Sequence, residues 1–293
     1  PTNKSVEVRC RRMPVRIPRD EKRTPEQLRD HYEIEKELAA RLRRATKEER
    51  KRLYGPLYDE LFRRVSHHPQ LTERSDPQIR RTDVARQMRF LRRFLKPDSV
   101  FLEVGAGDCG LSLEVAKRAR KVFSVDVSRE ISEGEGRPSN FELILSDGTS
   151  VPLPQGSVTL AYSRRLMEHL HPEDALEQLR NIHAALAEGA RYVCITPNRF
   201  SGPFDISGYF EDAATGFHLK EYTLTELAAI FKSVGFSGVA AYAGGKGAYL
   251  RVPLSLILLT EKMLQALPPV WSKALARTFP MRALLGMTVV GVK

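Results

Sequence analysis

The sequence predicts an α/β fold built on an open, doubly wound sheet, and three observations carry that prediction. From Ser99 onward short apolar runs alternate with amphipathic helical stretches. Each apolar run ends in a small polar cluster, and ligands of such sheets sit outside the carboxyl ends of the strands, where strand order reverses. The chain before Pro97 reads as helical and basic, without strands.

A length of 293 residues with 42% hydrophobic content is enough for a full core, as one large domain or a domain with an appendage. No apolar stretch approaches the roughly 18 residues of a membrane span, and PTNKSVEVRC lacks the apolar centre of a signal peptide. The expectation is a cytoplasmic protein. Cys10, Cys109 and Cys194 are far apart, which argues against a disulfide framework or a zinc site. No His and carboxylate group has ligand spacing, and His67-His68 reads as a loop feature, so no metal is expected. The net charge of +11 is uneven: residues 1–96 hold 27 Lys and Arg against 15 Asp and Glu. Nucleic acid, an anionic membrane or an acidic substrate would each suit that excess. Interspersed acids in EIEKELAARLRRATKEERKR favour a solvated helical surface.

Residues 1–96 form the expected N-terminal helical cap. Thr24-Pro25-Glu26 is an N-cap with proline at the first helical position, opening a helix through about Ala45. Thr46 and Glu49 give a capping box for the next helix, and Met88, Leu91, Phe94 and Leu95 put a third at about residues 83–95. Residues 97–293 carry the sheet. SVFLEVGAG, KVFSVDVS, FELILSDG, SVTLAYS and ARYVCIT read as strands whose ends line one crevice.

Gly105-Ala106-Gly107-Asp-Cys-Gly110 satisfies GxGxxG, and Asp126 follows about 20 residues on, as a ribose-binding acid would. Taken alone this permits NAD. A pyrophosphate on the helix N-terminus would be repelled by Glu103 and Asp108, whereas a ligand with an ammonium and a sulfonium would tolerate them. Asp126 can accept from two ribose hydroxyls, and Asp147 from an exocyclic amine.

These residues resemble the class I S-adenosylmethionine-dependent methyltransferases, in particular the small-molecule branch that includes the ubiquinone and menaquinone biosynthesis enzymes. The likeness covers about Ser99 to Phe236, with LEVGAGDCG, VFSVDVS, LSDGTSVPLPQGSVTLAYSRRLMEHL, ARYVCITPNR and FHLKEYTLTELAAIFKSVGF in the family's order. Cys109 departs from it where many members have a third glycine. The resemblance implies a Rossmann-like sheet of seven strands with an antiparallel last strand, S-adenosylmethionine as cofactor and S-adenosylhomocysteine as product. It implies cofactor contacts from Glu103, Gly105, Ala106, Gly107, Asp126, Val127, Ser128, Asp147, Gly148, Thr149 and Ser163.

FSGVAAYAG reads as the sixth strand and GMTVVGVK as the seventh, so a helical insertion of about residues 251–285 separates them. It holds the only tryptophan, Trp271, and PLSLILL is suited to a membrane interface, to capping a greasy pocket, or to a homodimer interface.

Methyl transfer needs alignment of the acceptor with the methyl-sulfur bond, and a base where the acceptor is a hydroxyl. His169 is the leading candidate base and His171 its competitor. Tyr54, Tyr58, Arg164, Asn198, Asp205, Tyr209 and His218 are the candidate substrate contacts. O-methylation of a small-molecule, glycan or lipid-type metabolite is the preferred reading. The alternatives are an RNA methyltransferase that uses the basic first third and a nucleotide-binding protein without chemistry.

Overall fold

The computed structural model describes residues 21–71, 76–128, 137–245 and 247–293; Cys10 lies outside them. The chain opens with α1 (Pro25–Arg44), α2 (Lys47–Arg64) and α3 (Pro77–Leu91). The expected Thr46 capping box closes, and the expected Thr24 N-cap proves to be one as well: Gln27 N–H donates to Thr24 and Glu49 N–H to Thr46, while Gln27 and Glu49 return bonds to the cap backbones. Each such cap is worth about 1 kcal/mol. The third helix starts and ends earlier than expected, because Asp76 caps it, accepting from Gln78 and Ile79 N–H, and Pro77 takes the first helical position.

The sheet then builds from β1 (Val100–Val104), α4 (Gly110–Ala116), β2 (Lys121–Asp126), β3 (Phe141–Leu145), β4 (Val158–Arg164), α5 (Pro172–Ala185) and β5 (Leu186–Thr196). α6 (Leu224–Val234), β6 (Gly238–Gly245), β7 (Ala248–Val252), α7 (Leu254–Gln265), α8 (Pro269–Ala276), α9 (Phe279–Leu284) and β8 (Met287–Val292) follow. Strand order is β3-β2-β1-β4-β5-β8-β6-β7. The first five strands are parallel, and β8 runs antiparallel between β5 and β6.

The sheet therefore has eight strands where seven were expected. The extra one, β7, pairs antiparallel with β6, and Gly244 in the ladder and Gly247 just before β7 hold φ of 129° and 87°, which favours glycine. It forms because Tyr249 finds Phe90 of α3, ring to ring at 4.7 Å. The helical insertion accordingly begins at Leu254.

Two apolar layers sandwich the sheet. On one face Leu38 and Leu42 of α1 and Leu57 and Leu61 of α2 bury into the same cluster as Leu102, Val104 and Tyr192. On the other, Met88, Phe90 and Leu91 of α3 pack with Phe101, Leu111 and Tyr162. Each fully buried leucine contributes roughly 1.5–3 kcal/mol, so the N-terminal helices share their core with the sheet. Gly55 of α2 marks the closest approach: a Cβ there would sit 2.9 Å from the Val127 carbonyl oxygen, at the carboxyl end of β2.

Candidate active site

Strand order reverses between β1 and β4, and a cleft opens at their carboxyl ends. Gly105, Gly107, Asp126, Val127, Ser128, Ser146 and Gly148 form its floor, and Tyr54, Tyr58 and Phe62 of α2 its roof. Gly105 holds φ of 74°, and an added Cβ would meet Leu166 at 3.0 Å, so the bare backbone makes the cradle. Asp126 organises the floor, accepting from Gly107 N–H at 2.7 Å and Ser128 N–H at 3.0 Å. Each oxygen keeps further acceptor capacity for a ligand diol.

The amino end of α4 is already occupied. Asp108 accepts from Gly110 N–H at 3.0 Å and pairs with Arg80 at 2.7 Å, so an acid stands where a pyrophosphate would need the helix dipole. Cys109 solves the departure from the glycine pattern by itself adopting the left-handed conformation, at φ 57°. The cleft thus fits a nucleoside with a ribose diol and no phosphate, as S-adenosylmethionine requires.

Several expected cofactor contacts lie elsewhere. Glu103 is buried beneath the loop, accepting from Ser112 Oγ, and burial pushes its carboxyl up to about 8. It shapes the loop from below and is protonated near neutrality, so the repulsion argued from its charge is carried by Asp108 instead. Ala106 is buried with the α3–α4 core. Asp147 turns away from the cleft to tie its own turn, accepting from Thr149 and Ser150 N–H at 2.9 and 2.7 Å. Thr149 is buried beside it. Ser163 shares a 2.6 Å bond with the Tyr192 hydroxyl inside the core. A strand-end cluster read from sequence gives the place of a residue but not its direction, and these five face away from the cleft. Ser146, Gln70, Leu166, Leu170 and Gln178 line the cleft without having been foreseen.

A larger cavity of about 510 Å³ adjoins the cleft, which measures about 110 Å³, and both share Tyr58, Gln70 and His169 as walls. Asn198, Asp205, Tyr209 and His218 line it as expected. Arg164 does not: it forks onto Asp83 at 2.7 and 3.0 Å on the far side of β4. His171 lines neither space; its N–H donates to the Tyr54 hydroxyl at 3.0 Å. Tyr54 roofs the cofactor cleft instead of touching the larger cavity, with its hydroxyl donating to Asp174 at 2.7 Å.

The chemistry of the cavity centres on residues 168, 169 and 218. His169 Nδ1–H donates to the Phe217 carbonyl at 3.2 Å, leaving the Nε2 lone pair, and burial holds its pKa down to about 3. It is neutral and only weakly basic. Burial works against a charged His218, but the bond to Glu221 at 2.7 Å and the Glu168 and Asp205 charges outweigh it and raise its pKa. Glu168 is fully buried; one oxygen accepts from Thr196 at 2.9 Å and Oε1 has no hydrogen-bond partner among the described residues. Burial raises its pKa.

Sequence spacing showed no His and carboxylate cluster, yet among the described residues the fold assembles two, His31-Glu35-His68 and Glu168-His169-His218. The first is tied up internally: His31 bonds Glu35 at 2.9 Å, and Glu35 accepts from Phe217 N–H at 3.1 Å. Glu168 was overlooked because its neighbour His169 drew the catalytic assignment. Glu261 of α7 was also missed: its buried carboxylate accepts from Leu224 and Thr225 N–H at 2.7 and 2.8 Å and from Asn198 Nδ2 at 2.8 Å.

Fold and cleft together define a methyltransferase of the S-adenosylmethionine-dependent class. Residues 78–241 match the family described as methyltransferase domain, and the chain belongs to that family. No curated protein matches the sequence. Among solved structures, one titled a putative O-methyltransferase from Nostoc punctiforme is 15% identical with a TM-score of 0.51, over 74% of this chain and 57% of that one. The putative methyltransferase solved with the Trm112 activator of Haloferax volcanii is 15% identical with a TM-score of 0.50, over 74% and 94%. A SAM-dependent methyltransferase from Archaeoglobus fulgidus is 20% identical with a TM-score of 0.49, over 73% and 94%. At these identities the likeness is one of fold. The enzyme uses S-adenosylmethionine.

Proposed function

We propose that the enzyme methylates a hydroxyl of a small-molecule, glycan or lipid-type acceptor held in the larger cavity. The observation that carries this is the buried Glu168 Oε1, without a hydrogen-bond partner among the described residues, in a cavity that meets the cofactor cleft at His169. A carboxylate kept from water with a raised pKa is a better proton acceptor near neutrality than an imidazole held at about 3. The base role expected of His169 therefore moves to Glu168, and the neutral His169 ring serves as a wall between the acceptor cavity and the cofactor cleft. His218, held by Glu221, offers a positive neighbour that favours the ionised Glu168.

When bound, S-adenosylmethionine supplies a methyl carbon that the acceptor oxygen takes while the carbon-sulfur pair leaves with sulfur. The protein aligns the two, a contribution of about 7–11 kcal/mol, and Glu168 takes the proton. Tyr58, stacked on Phe217 at 5.0 Å and edge-on to His169 at 6.0 Å, closes the junction against water.

The basic first third supports this reading over RNA methylation. Six of its cations are paired with acids of the chain: Arg41 and Arg64 with Glu60, Lys36 with Glu211, Lys47 and Lys51 with Glu177, and Arg50 with Asp174. A labelled-methyl screen of metabolite, lipid and RNA fractions tests it. Transfer to a hydroxyl compound is expected, with Glu168→Gln lowering kcat by about 10²–10⁴ while cofactor affinity stays unchanged. Label appearing only in RNA, or Glu168→Gln at wild-type kcat, overturns it.

A further inference from the structure

We propose that the 254–285 insertion is a membrane-docking surface that seats the enzyme on an anionic bilayer. Of twelve large apolar side chains exposed among the described residues, nine fall between Leu250 and Phe279. On α7, Leu256, Leu259 and Met263 are spaced as one helical stripe, while Ile257, Glu261 and Leu264 face the protein. Val270 and Phe279 are 77% and 85% exposed, and Trp271 is 69% exposed, far beyond what a lone surface residue of these types needs.

Charge selects the occupant. Between residues 250 and 285 the basic residues are Arg251, Lys262, Lys273, Arg277 and Arg282, and the one acid, Glu261, is buried. Lys273 meets Asp212 at 3.4 Å, and Arg277 donates to the Gly202 carbonyl at 2.7 Å; Arg251, Lys262 and Arg282 are exposed. An apolar face with a tryptophan, carrying five cations and no exposed acid of its own between residues 250 and 285, matches the boundary between acyl chains and anionic headgroups. A self-complementary protein contact would gain nothing from cations facing cations. No described helix is long and apolar enough to cross a membrane, so the surface lies on the bilayer.

The position bears on the reaction. Arg282, Leu285 and Gly286, at the end of the insertion, are walls of the acceptor cavity. A docked enzyme would present that cavity to the headgroup region. Only this last step, an acceptor drawn from the bilayer, rests on the acceptor reading above.

The test uses the full chain and its single tryptophan. Flotation and Trp271 fluorescence are measured with phosphatidylcholine vesicles and with vesicles of roughly one-third phosphatidylglycerol. Expected are cofloating protein and a blue shift with the anionic vesicles, weakened at 0.5 M salt on the order of tenfold by screening. Leu259→Ser/Met263→Ser, exposed positions that keep the tryptophan, should lose flotation by about tenfold while binding S-adenosylmethionine as wild type. Equal binding to both vesicle types, or none, overturns the proposal. So does a dimer by light scattering whose Trp271 emission is already blue-shifted without lipid. Because these readouts involve no turnover, they fail independently of the acceptor reading.

Discussion

Gly148→Ala puts the roof and floor of the cofactor cleft in direct conflict. Gly148 holds φ of 93°, and an added Cβ would lie 2.8 Å from Cδ2 and 3.2 Å from Cγ of Tyr54. The ring cannot retreat: Tyr54 is 1% exposed, and its hydroxyl is fixed between Asp174 at 2.7 Å and His171 N–H at 3.0 Å. Nor can the loop move freely, because the Gly148 carbonyl accepts from Gln178 at 2.6 Å. Left-handed backbone with a Cβ costs about 1–2 kcal/mol and overpacking about 1–3 kcal/mol, together about 2–5 kcal/mol. For a domain of this size the melting temperature should fall by roughly 5–15 °C. Calorimetric titration should show S-adenosylmethionine binding about tenfold weaker, the loss of about 1.4 kcal/mol. Tyr54→Leu in the Gly148→Ala background should recover the overpacking part but not the backbone part. A single variant within about 0.5 kcal/mol of wild type would refute the contact, as would strict additivity of the pair.

Asp126→Ala should weaken S-adenosylmethionine binding about 100-fold in the same titration, since two charge-assisted bonds to a ribose diol are worth about 3 kcal/mol. Glu103 is protonated in the folded protein up to about 8 but ionises near 4.5 when unfolded, so its contribution is complete at low pH and is lost as pH rises through that window. Glu103→Gln fixes the neutral form; denaturation from pH 5 to 9 should show wild type losing stability relative to the variant, and a flat difference would contradict the burial argument. Arg50→Ala should cost about 3–5 kcal/mol in urea denaturation, because it leaves the fully buried Asp174 without its cation.

The parts of the fold governed by local chemistry were legible. Thr24, Thr46 and the places of the first five strands followed from capping and periodicity alone. Asp76-Pro77 carries the same signal as Thr24-Pro25 and went unused, which displaced the third helix by several residues. β7 escaped because a five-residue edge strand between Gly247 and Pro253 gains stability from Phe90, 159 positions from Tyr249 in sequence. In the site, the glycine turn and Asp126 were found because backbone geometry fixes where they face. Asp147, Ser163 and Arg164 were misdirected because their hydrogen-bond partners, Ser150, Tyr192 and Asp83, compete with the cleft for the same side chains. Glu168 becomes visible only when burial and its unbonded oxygen are considered together.

The anchoring of the insertion limits how this chain can be re-engineered. Glu261 supplies the capping acceptors for the first turn of α6 and fixes the amide of Asn198, while Arg277 clamps the Gly202 carbonyl. Excising residues 254–285 as a removable cassette would strip acceptors from the Leu224 and Thr225 amides, the Thr225 hydroxyl and the Asn198 side chain, the last a wall of the acceptor cavity. A functional graft or trimmed variant must therefore keep Glu261 and Arg277 as fixed points, and only the outward side chains between them are open to exchange.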